Sequence, residues 1–98
     1  MKEITAKELA NKLNTGENVD VIDVREDEEV AQGKIPGAHH IPLGELPDRL
    51  DEIDKDKQHY MVCRSGGRSG RACSFLSEHG YDVINMKGGM LDWDDEVE

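Results

Sequence analysis

The most informative stretch of this chain is Tyr60-Met61-Val62-Cys63-Arg64-Ser65-Gly66-Gly67-Arg68. Its first three residues are apolar and predict a strand, and residues 69–79 beyond it have helical periodicity. The Cys63 thiol is therefore expected at a strand-to-helix turn, at the amino end of a helix. Backbone N–H groups are unpaired there, and the helix dipole adds about half a positive charge. Such a turn binds anions and can stabilise a thiolate.

Predicted strands and helices alternate on both sides of this turn. Apolar and β-branched runs predict strands at residues 19–24, 58–62 and 81–86, with a brief extended segment at 39–42. Helical spacing predicts helices at residues 26–32, 45–53 and 69–79, and a last short helix near Trp93. Another helix begins at a capping box, with Thr5 as N-cap and Glu8 three residues on, and ends near Gly16.

This alternation is typical of an α/β fold built on a mostly parallel sheet. Ninety-eight residues suffice for one domain, residues 1–98, and leave no room for a second core. In such folds, ligands bind outside the carboxyl ends of the strands. The segment after Val24 and the Cys63 loop both follow strands, so we expect both at this edge of the sheet.

The charge distribution separates one small region from the rest of the chain. The formal net charge of −10 argues against nucleic acid and anionic membranes as partners, because both bind basic surfaces. Acidic clusters at residues 26–29, 48–56 and 92–98 are interpreted as solvated faces. Three of the five arginines fall at positions 64, 68 and 71. This local positive charge indicates a small anionic substrate or a negatively charged cysteine adduct.

The cysteine pattern predicts no metal site and no disulfide framework. Cys63 and Cys73 form no Cys-x-x-C pair, and no cysteine–histidine spacing fits a structural zinc site. No apolar run approaches the roughly 18 residues of a transmembrane helix, and the amino terminus lacks the apolar stretch of a signal peptide. A cytoplasmic location is therefore the expectation.

Four short motifs, in this order along the chain, resemble those of single-domain rhodaneses. Residues 20–26 resemble the family's early strand, and residues 33–38 its Gly-His-Ile-Pro-Gly-Ala turn. Residues 63–69 resemble its active-site loop, and Gly88-Gly89 followed by Trp93 resembles its closing motif. Lys34 departs from the pattern, since the family usually has histidine there, but this position lies outside the active-site loop.

The resemblance implies a rhodanese-like three-layer α/β fold, with a central, mostly parallel sheet of about five strands and helices on both faces. It also implies sulfurtransferase activity at Cys63. A sulfane sulfur would pass from thiosulfate or a persulfide donor to cyanide or a thiol acceptor through a Cys63 persulfide. Neither a cofactor, nucleic acid nor a membrane is part of this expectation.

The loop residues fit the two steps of such a transfer. Cys63 must first be a thiolate, and a helix amino end with nearby cations lowers the pKa of a thiol. The outer sulfur of the persulfide is negative and can be cradled by backbone N–H groups, since two glycines let the loop curl inward. The predicted persulfide-binding residues are Arg64, Ser65, Gly66, Gly67 and Arg68. In the second step Cys63 is the leaving group, which a low pKa favours.

The length of the loop favours sulfur over phosphate. Phosphatases and arsenate reductases of related folds carry one more residue between the cysteine and the arginine, whereas Arg68 is the fifth residue after Cys63. A smaller ring suits a single sulfur atom better than a tetrahedral oxyanion. Three alternatives remain open: a sulfur-carrier module loaded by a protein partner, a small-oxyanion phosphatase or arsenate reductase, and a non-catalytic docking domain, which the intact Cys63 disfavours.

Five neighbouring positions each have two interpretations. For Asp23 and Arg25, an ion pair that supports the loop is favoured over a substrate contact. Ser69 is expected to cap the helix rather than to bond sulfur. Cys73 lies on the apolar stripe of the helix and is interpreted as a core residue rather than a resolving thiol. Arg64 is expected to contact the anionic end of thiosulfate or to face solvent.

Overall fold

A computed structural model describes the whole chain, from Met1 to Glu98. Five strands form one sheet: β1 (Glu3–Thr5), β2 (Asp20–Asp23), β3 (His39–His40), β4 (Gln58–Val62) and β5 (Asp82–Lys87). Their order across the sheet is β1-β5-β4-β2-β3, and every neighbouring pair is parallel. The predicted α/β class with a parallel sheet is confirmed.

Helices cover both faces of this sheet. They are α1 (Ala6–Asn14), α2 (Asp27–Val30) and α3 (Gly67–Glu78), together with short 3-10 helices at Leu43–Asp48, Leu50–Glu52 and Gly89–Asp92. On one face, Met61 of β4 shares a core with Leu76 of α3. On the other face, Tyr60 and Val62 share a second core with Leu9 of α1. Alternate residues of a strand face opposite ways, so β4 contributes to both cores. None of the helices is both long and apolar enough to cross a membrane.

The strand β1 is absent from the sequence prediction. It has three residues, with Ile4 beside Met86 of β5, and such a short run shows no periodic pattern. It ends at Thr5, which also begins α1. The Thr5 hydroxyl accepts a hydrogen bond from the Glu8 N–H at 3.1 Å, and the Glu8 carboxylate accepts one from the Thr5 N–H at 2.9 Å. The predicted capping box is confirmed.

The single helix predicted at residues 45–53 is wrong. Two 3-10 helices, Leu43–Asp48 and Leu50–Glu52, occupy this region, and Pro47 lies inside the first. The first 3-10 helix begins at Leu43, so Pro47 is its fifth residue. Without an N–H, and with a ring that clashes with the carbonyl four residues before it, Pro47 cannot continue an α-helix from this start. Leu46 and Ile53 are nevertheless buried in the core, which accounts for their apolar spacing in the sequence.

The carboxyl ends of β2 and β4 lie side by side at one edge of the sheet, as the sequence predicts. Asp23 of β2 is beside Val62 of β4 in the parallel register. The Val24 N–H then donates to the Val62 carbonyl at 2.9 Å. The segment that follows β2 therefore runs next to the start of the Cys63 loop, at the carboxyl edge of the sheet.

Candidate active site

The Cys63 turn is tighter than the sequence indicated. Cys63 follows β4 directly, and α3 begins at Gly67 rather than at Ser69. Gly66 is the N-cap of α3 and has a φ of +103°, a conformation that residues with a Cβ rarely adopt. Because the glycine turns the chain straight into the helix, Arg68 and Ser69 lie in the first turn of α3. The thiol lies at the amino end of this helix.

Hydrogen-bond donors enclose the Cys63 sulfur, and only 1% of this residue is exposed. The Gly66 N–H donates to Sγ at 3.1 Å, and the Ser69 hydroxyl oxygen lies 3.3 Å from Sγ. Burial raises the pKa of the Cys63 thiol. The Ser69 hydroxyl and the backbone N–H groups of Ser69, Gly66 and Ser65 together lower it by more, so this pKa falls below its ordinary value. The site therefore stabilises the thiolate, the nucleophilic form of cysteine, relative to that of a solvent-exposed cysteine.

Ser69 contacts the sulfur and does not cap α3. The capping prediction is wrong because Gly66, three residues earlier, occupies the N-cap position. Side chains in a helix point back toward its amino end, which brings the Ser69 hydroxyl to the loop. Ser69 is fully buried, and its Oγ also lies 2.6 Å from Oδ1 of Asn85. Ser69 thus belongs to the immediate surroundings of Cys63.

Asn85 of β5 is a residue of this site that the sequence prediction missed. It is buried, and its Nδ2 donates to the Gly66 carbonyl at 3.2 Å. One signal was available, because an amide within the apolar run Val83-Ile84-Asn85-Met86 is unusual. A buried polar group requires hydrogen-bond partners, and here these partners are in the Cys63 loop.

The segment after β5 holds the loop backbone from the other side. The Met90 N–H donates to the Cys63 carbonyl at 2.9 Å, and the Leu91 N–H donates to the Arg64 carbonyl at 3.0 Å. Gly89 has a φ of +58°, and a Cβ at this position would lie 2.3 Å from the Arg64 carbonyl oxygen. Gly89 is therefore required for the close approach that fixes the first residues of the loop.

The guanidinium of Arg68 is held by Glu29, the residue before the end of α2. Its two terminal nitrogens donate to the two carboxylate oxygens of Glu29 at 2.6 and 2.8 Å. These hydrogen bonds are the main reason why the pKa of Glu29 falls to about 2. The Arg68 guanidinium therefore lies beside the loop, and its charge is paired with the Glu29 carboxylate. The sequence did not identify Glu29, which reads as one of several acids in a solvated cluster.

The ion pair expected between Asp23 and Arg25 is present and buried. Nη2 of Arg25 donates to Oδ2 of Asp23 at 2.8 Å and to the Gly33 carbonyl at 2.8 Å. Nη1 of Arg25 donates a longer hydrogen bond, of 3.4 Å, to the Glu29 carbonyl. Arg25 therefore braces the α2 region that presents Glu29, and its hydrogen-bonding groups are occupied within the protein.

The remaining predicted residues divide between the surface and the core. Arg64 and Arg71 are exposed. Arg64 borders a shallow cleft of about 180 Å³ whose other lining residues are Arg25, Glu29, Gln32, Met90 and Leu91. Cys73 is 1% exposed and packs in the same core as Cys63, and burial raises the pKa of its thiol to about 12. These properties agree with the interpretation of Cys73 as a core residue.

Comparisons with known proteins extend over nearly the whole chain. A family model described as the Rhodanese-like domain matches residues 5–96. YtwF of Bacillus subtilis is 45% identical over 97 residues, covering 99% of this chain and 94% of that protein. A sulfurtransferase of Allochromatium vinosum is 40% identical over 94 residues, covering 95% and 88%. The crystal structure of a rhodanese-like domain protein from Staphylococcus aureus has a TM-score of 0.95 at 44% identity, covering 100% and 97%.

Proposed function

Because this chain belongs to the rhodanese-like domain family, whose relatives include sulfurtransferases, we propose that it transfers a sulfane sulfur through a persulfide on Cys63. The buried Cys63 sulfur at the amino end of α3 supports this proposal, because it accepts a hydrogen bond from the Gly66 N–H at 3.1 Å and lies beside the Ser69 hydroxyl. These donors stabilise negative charge on sulfur, and both steps of a sulfur transfer need that stabilisation.

In the first step, the Cys63 thiolate attacks the outer sulfur of thiosulfate. A new S–S bond forms to Cys63, the S–S bond of thiosulfate breaks, and its electron pair leaves with sulfite. The exposed guanidinium of Arg64 at the rim of the loop is suited to receive the sulfonate end of the donor. The backbone N–H groups of residues 64–68 would then hold the negative outer sulfur of the persulfide.

In the second step, cyanide or an acceptor thiolate attacks that outer sulfur. The S–S bond to Cys63 breaks, and its electron pair returns to Sγ as a thiolate. The Gly66 N–H and the Ser69 hydroxyl are placed to stabilise this leaving group. The same donors therefore serve loading and unloading of Cys63.

Sulfur is preferred over phosphate as the transferred group because of Arg68. Phosphoryl transfer needs a guanidinium free to clamp the oxyanion, whereas the Arg68 guanidinium makes two hydrogen bonds with the Glu29 carboxylate. The test compares thiocyanate formation from thiosulfate and cyanide with hydrolysis of p-nitrophenyl phosphate. We expect thiocyanate formation that Cys63→Ala abolishes and Cys73→Ala retains. Phosphate hydrolysis without thiocyanate formation would overturn the proposal.

A protein persulfide as the physiological donor or acceptor is a second candidate, favoured by the surface beside the loop. Leu91 is 62% exposed and lies on the cleft that Arg64 borders. An exposed leucine next to a reactive loop suits a protein surface better than a small inorganic ion. Leu91→Ser should therefore slow transfer to or from a persulfidated protein and leave thiosulfate turnover unchanged. Equal effects on both reactions would argue against a protein partner at this cleft.

A further inference from the structure

Four residues around the sulfur form a closed ring of hydrogen-bonding contacts. The Gly66 N–H donates to Sγ of Cys63 at 3.1 Å, and the Gly66 carbonyl accepts from Nδ2 of Asn85 at 3.2 Å. Oδ1 of Asn85 lies 2.6 Å from the Ser69 Oγ, which in turn lies 3.3 Å from Sγ. Cys63, Ser69 and Asn85 are each at most 5% exposed, so solvent does not replace these contacts.

The ring contains one proton fewer than its acceptors require when Cys63 is ionised. A serine hydroxyl carries a single proton, and here both Oδ1 of Asn85 and Sγ of Cys63 lie within reach of it. The amide cannot relieve this shortage by turning over, because its N–H must face the Gly66 carbonyl and its oxygen therefore faces Ser69. Asn85 and the thiolate compete for the same hydroxyl proton.

We propose that Asn85 is a positioning residue that competes with Cys63 for the Ser69 proton and so sets how readily the thiol ionises. The proposal rests on the proposed function in one respect, namely that the thiolate of Cys63 is the attacking and leaving group. Asn85 does not touch the reacting sulfur; it acts through Ser69.

The two states of the thiol differ in how well the ring is satisfied. In the neutral state, the Cys63 S–H donates to the Ser69 oxygen, the Ser69 O–H donates to Asn85, and each donor has an acceptor. When Cys63 releases its proton to solvent, the Ser69 O–H turns to the sulfur. The Ser69 and Asn85 oxygens then face each other without a proton between them, which costs free energy in a buried site. Asn85 therefore opposes ionisation and restrains the reactivity of the resting thiol.

Charged groups also face the loop, but they lie outside the ring. Arg68 of α3 is paired with Glu29, and Asp23 at the end of β2 is paired with Arg25. Arg64 in the loop and Lys87 at the end of β5 are exposed. A neutral substitution at Asn85 leaves these six charges in place, so a change in the Cys63 pKa would report the ring itself.

The test measures the Cys63 pKa from the pH dependence of iodoacetamide alkylation, in a Cys73→Ala background with one cysteine. Asn85→Ala frees the Ser69 proton for sulfur, so we expect a lower pKa and alkylation near pH 7 about threefold faster or more. Ser69→Ala removes the donor and should raise the pKa. The Asn85→Ala/Ser69→Ala double variant should match Ser69→Ala alone, because Asn85 acts only through Ser69.

A merely structural Asn85 gives a different pattern. If Asn85 only held the Gly66 carbonyl in place, Asn85→Ala would let the Gly66 N–H move away from Sγ and would raise the Cys63 pKa. This rise would also appear in the Ser69→Ala background. Either result overturns the proposal. Asn85→Leu, which keeps the branching at Cγ and removes both polar atoms, replaces Asn85→Ala if the smaller variant fails to fold. The side-chain amide resonances of Asn85 in the unsubstituted protein must also titrate with Cys63, and resonances that stay fixed would contradict the competition.

Alkylation requires no sulfur transfer, so this test is independent of the proposed activity. A protein without transferase activity whose Cys63 pKa follows the expected pattern would overturn the proposed function alone. A protein with transferase activity whose pKa is unaffected by Asn85 would overturn the role of Asn85 alone.

Discussion

The two cysteines of this protein are equally buried and chemically opposite. Cys63 and Cys73 are each 1% exposed and pack in one core cluster. Hydrogen-bond donors hold the pKa of Cys63 below its ordinary value despite burial, whereas burial raises the pKa of Cys73 to about 12. Burial alone therefore does not decide whether a thiol is reactive.

The difference lies in the backbone around each sulfur. Cys63 precedes α3, where the first N–H groups have no partner within the helix and are free to donate to sulfur. Cys73 lies inside α3, where the backbone N–H groups donate to carbonyls of the helix itself. One helix thus presents a stabilised thiolate at its amino end and an inert thiol in its middle.

The largest expected effect is a difference in alkylation rate between the two thiols. Single-cysteine variants, Cys73→Ala and Cys63→Ala, isolate each one. Near neutral pH in the folded protein, we expect iodoacetamide to modify Cys63 about 100-fold faster than Cys73 or more, because the pKa of Cys73 is raised to about 12 and its reactive thiolate is scarce. In denaturant the two rates should converge. Comparable rates in the folded protein would show that the two thiols do not differ in reactivity.

Gly89→Ala is expected to reduce the reactivity of Cys63. The new Cβ would meet the Arg64 carbonyl oxygen at 2.3 Å, so the loop must shift and its donors must move away from sulfur. We expect sulfur transfer to fall about tenfold or more and stability to fall by about 1–3 kcal/mol.

Gly16→Ala is the matched control for this change. Gly16 also has a positive φ, +80°, but a Cβ there meets nothing within 4 Å. It should lose stability from backbone strain and keep its activity. Unchanged alkylation of Cys63 in Gly89→Ala would mean that the segment after β5 does not hold the loop in place.

The smallest expected effect concerns the Glu29–Arg68 pair beside the loop. Because the pKa of Glu29 falls from 4.5 to about 2 on folding, its contribution to stability is present above pH 4.5 and is lost as the pH falls toward 2. Glu29→Gln should therefore cost about 1 kcal/mol at pH 7 and progressively less below pH 4.5. Urea unfolding at several pH values measures this, with the exposed Glu28→Gln as control. A cost independent of pH would exclude the ion pair as its source.

Local sequence signals predicted the features that depend on neighbouring residues. The capping box at Thr5 and Glu8, the strand before Cys63 and the thiol at a helix amino end all follow from short-range patterns. The helix start was placed too late, at Ser69, because two glycines weaken the helical pattern while Gly66 provides the N-cap. The α-helix predicted at residues 45–53 is likewise replaced by 3-10 helices, the first of which contains Pro47.

Contacts between distant parts of the chain were not predictable in this way. Glu29 lies 39 residues before Arg68, and Asn85 lies 16 residues after Ser69. Glu29 resembles its acidic neighbours until α2 is placed beside α3. Asn85 resembles an irregular strand residue until β5 is placed beside the loop. Glu29 and Asn85 contact Arg68 and Ser69, two neighbours of a cysteine that the sequence alone had located.

A persulfide on Cys63 is detected most directly by the intact mass of the protein after incubation with thiosulfate. We expect a gain of about 32 Da, one sulfur atom, which a thiol acceptor or cyanide removes. Cys73→Ala should gain the same mass, and Cys63→Ala should gain none. A sulfur adduct that persists in Cys63→Ala, or its absence from the unsubstituted protein with every sulfur donor, would contradict sulfur transfer through Cys63.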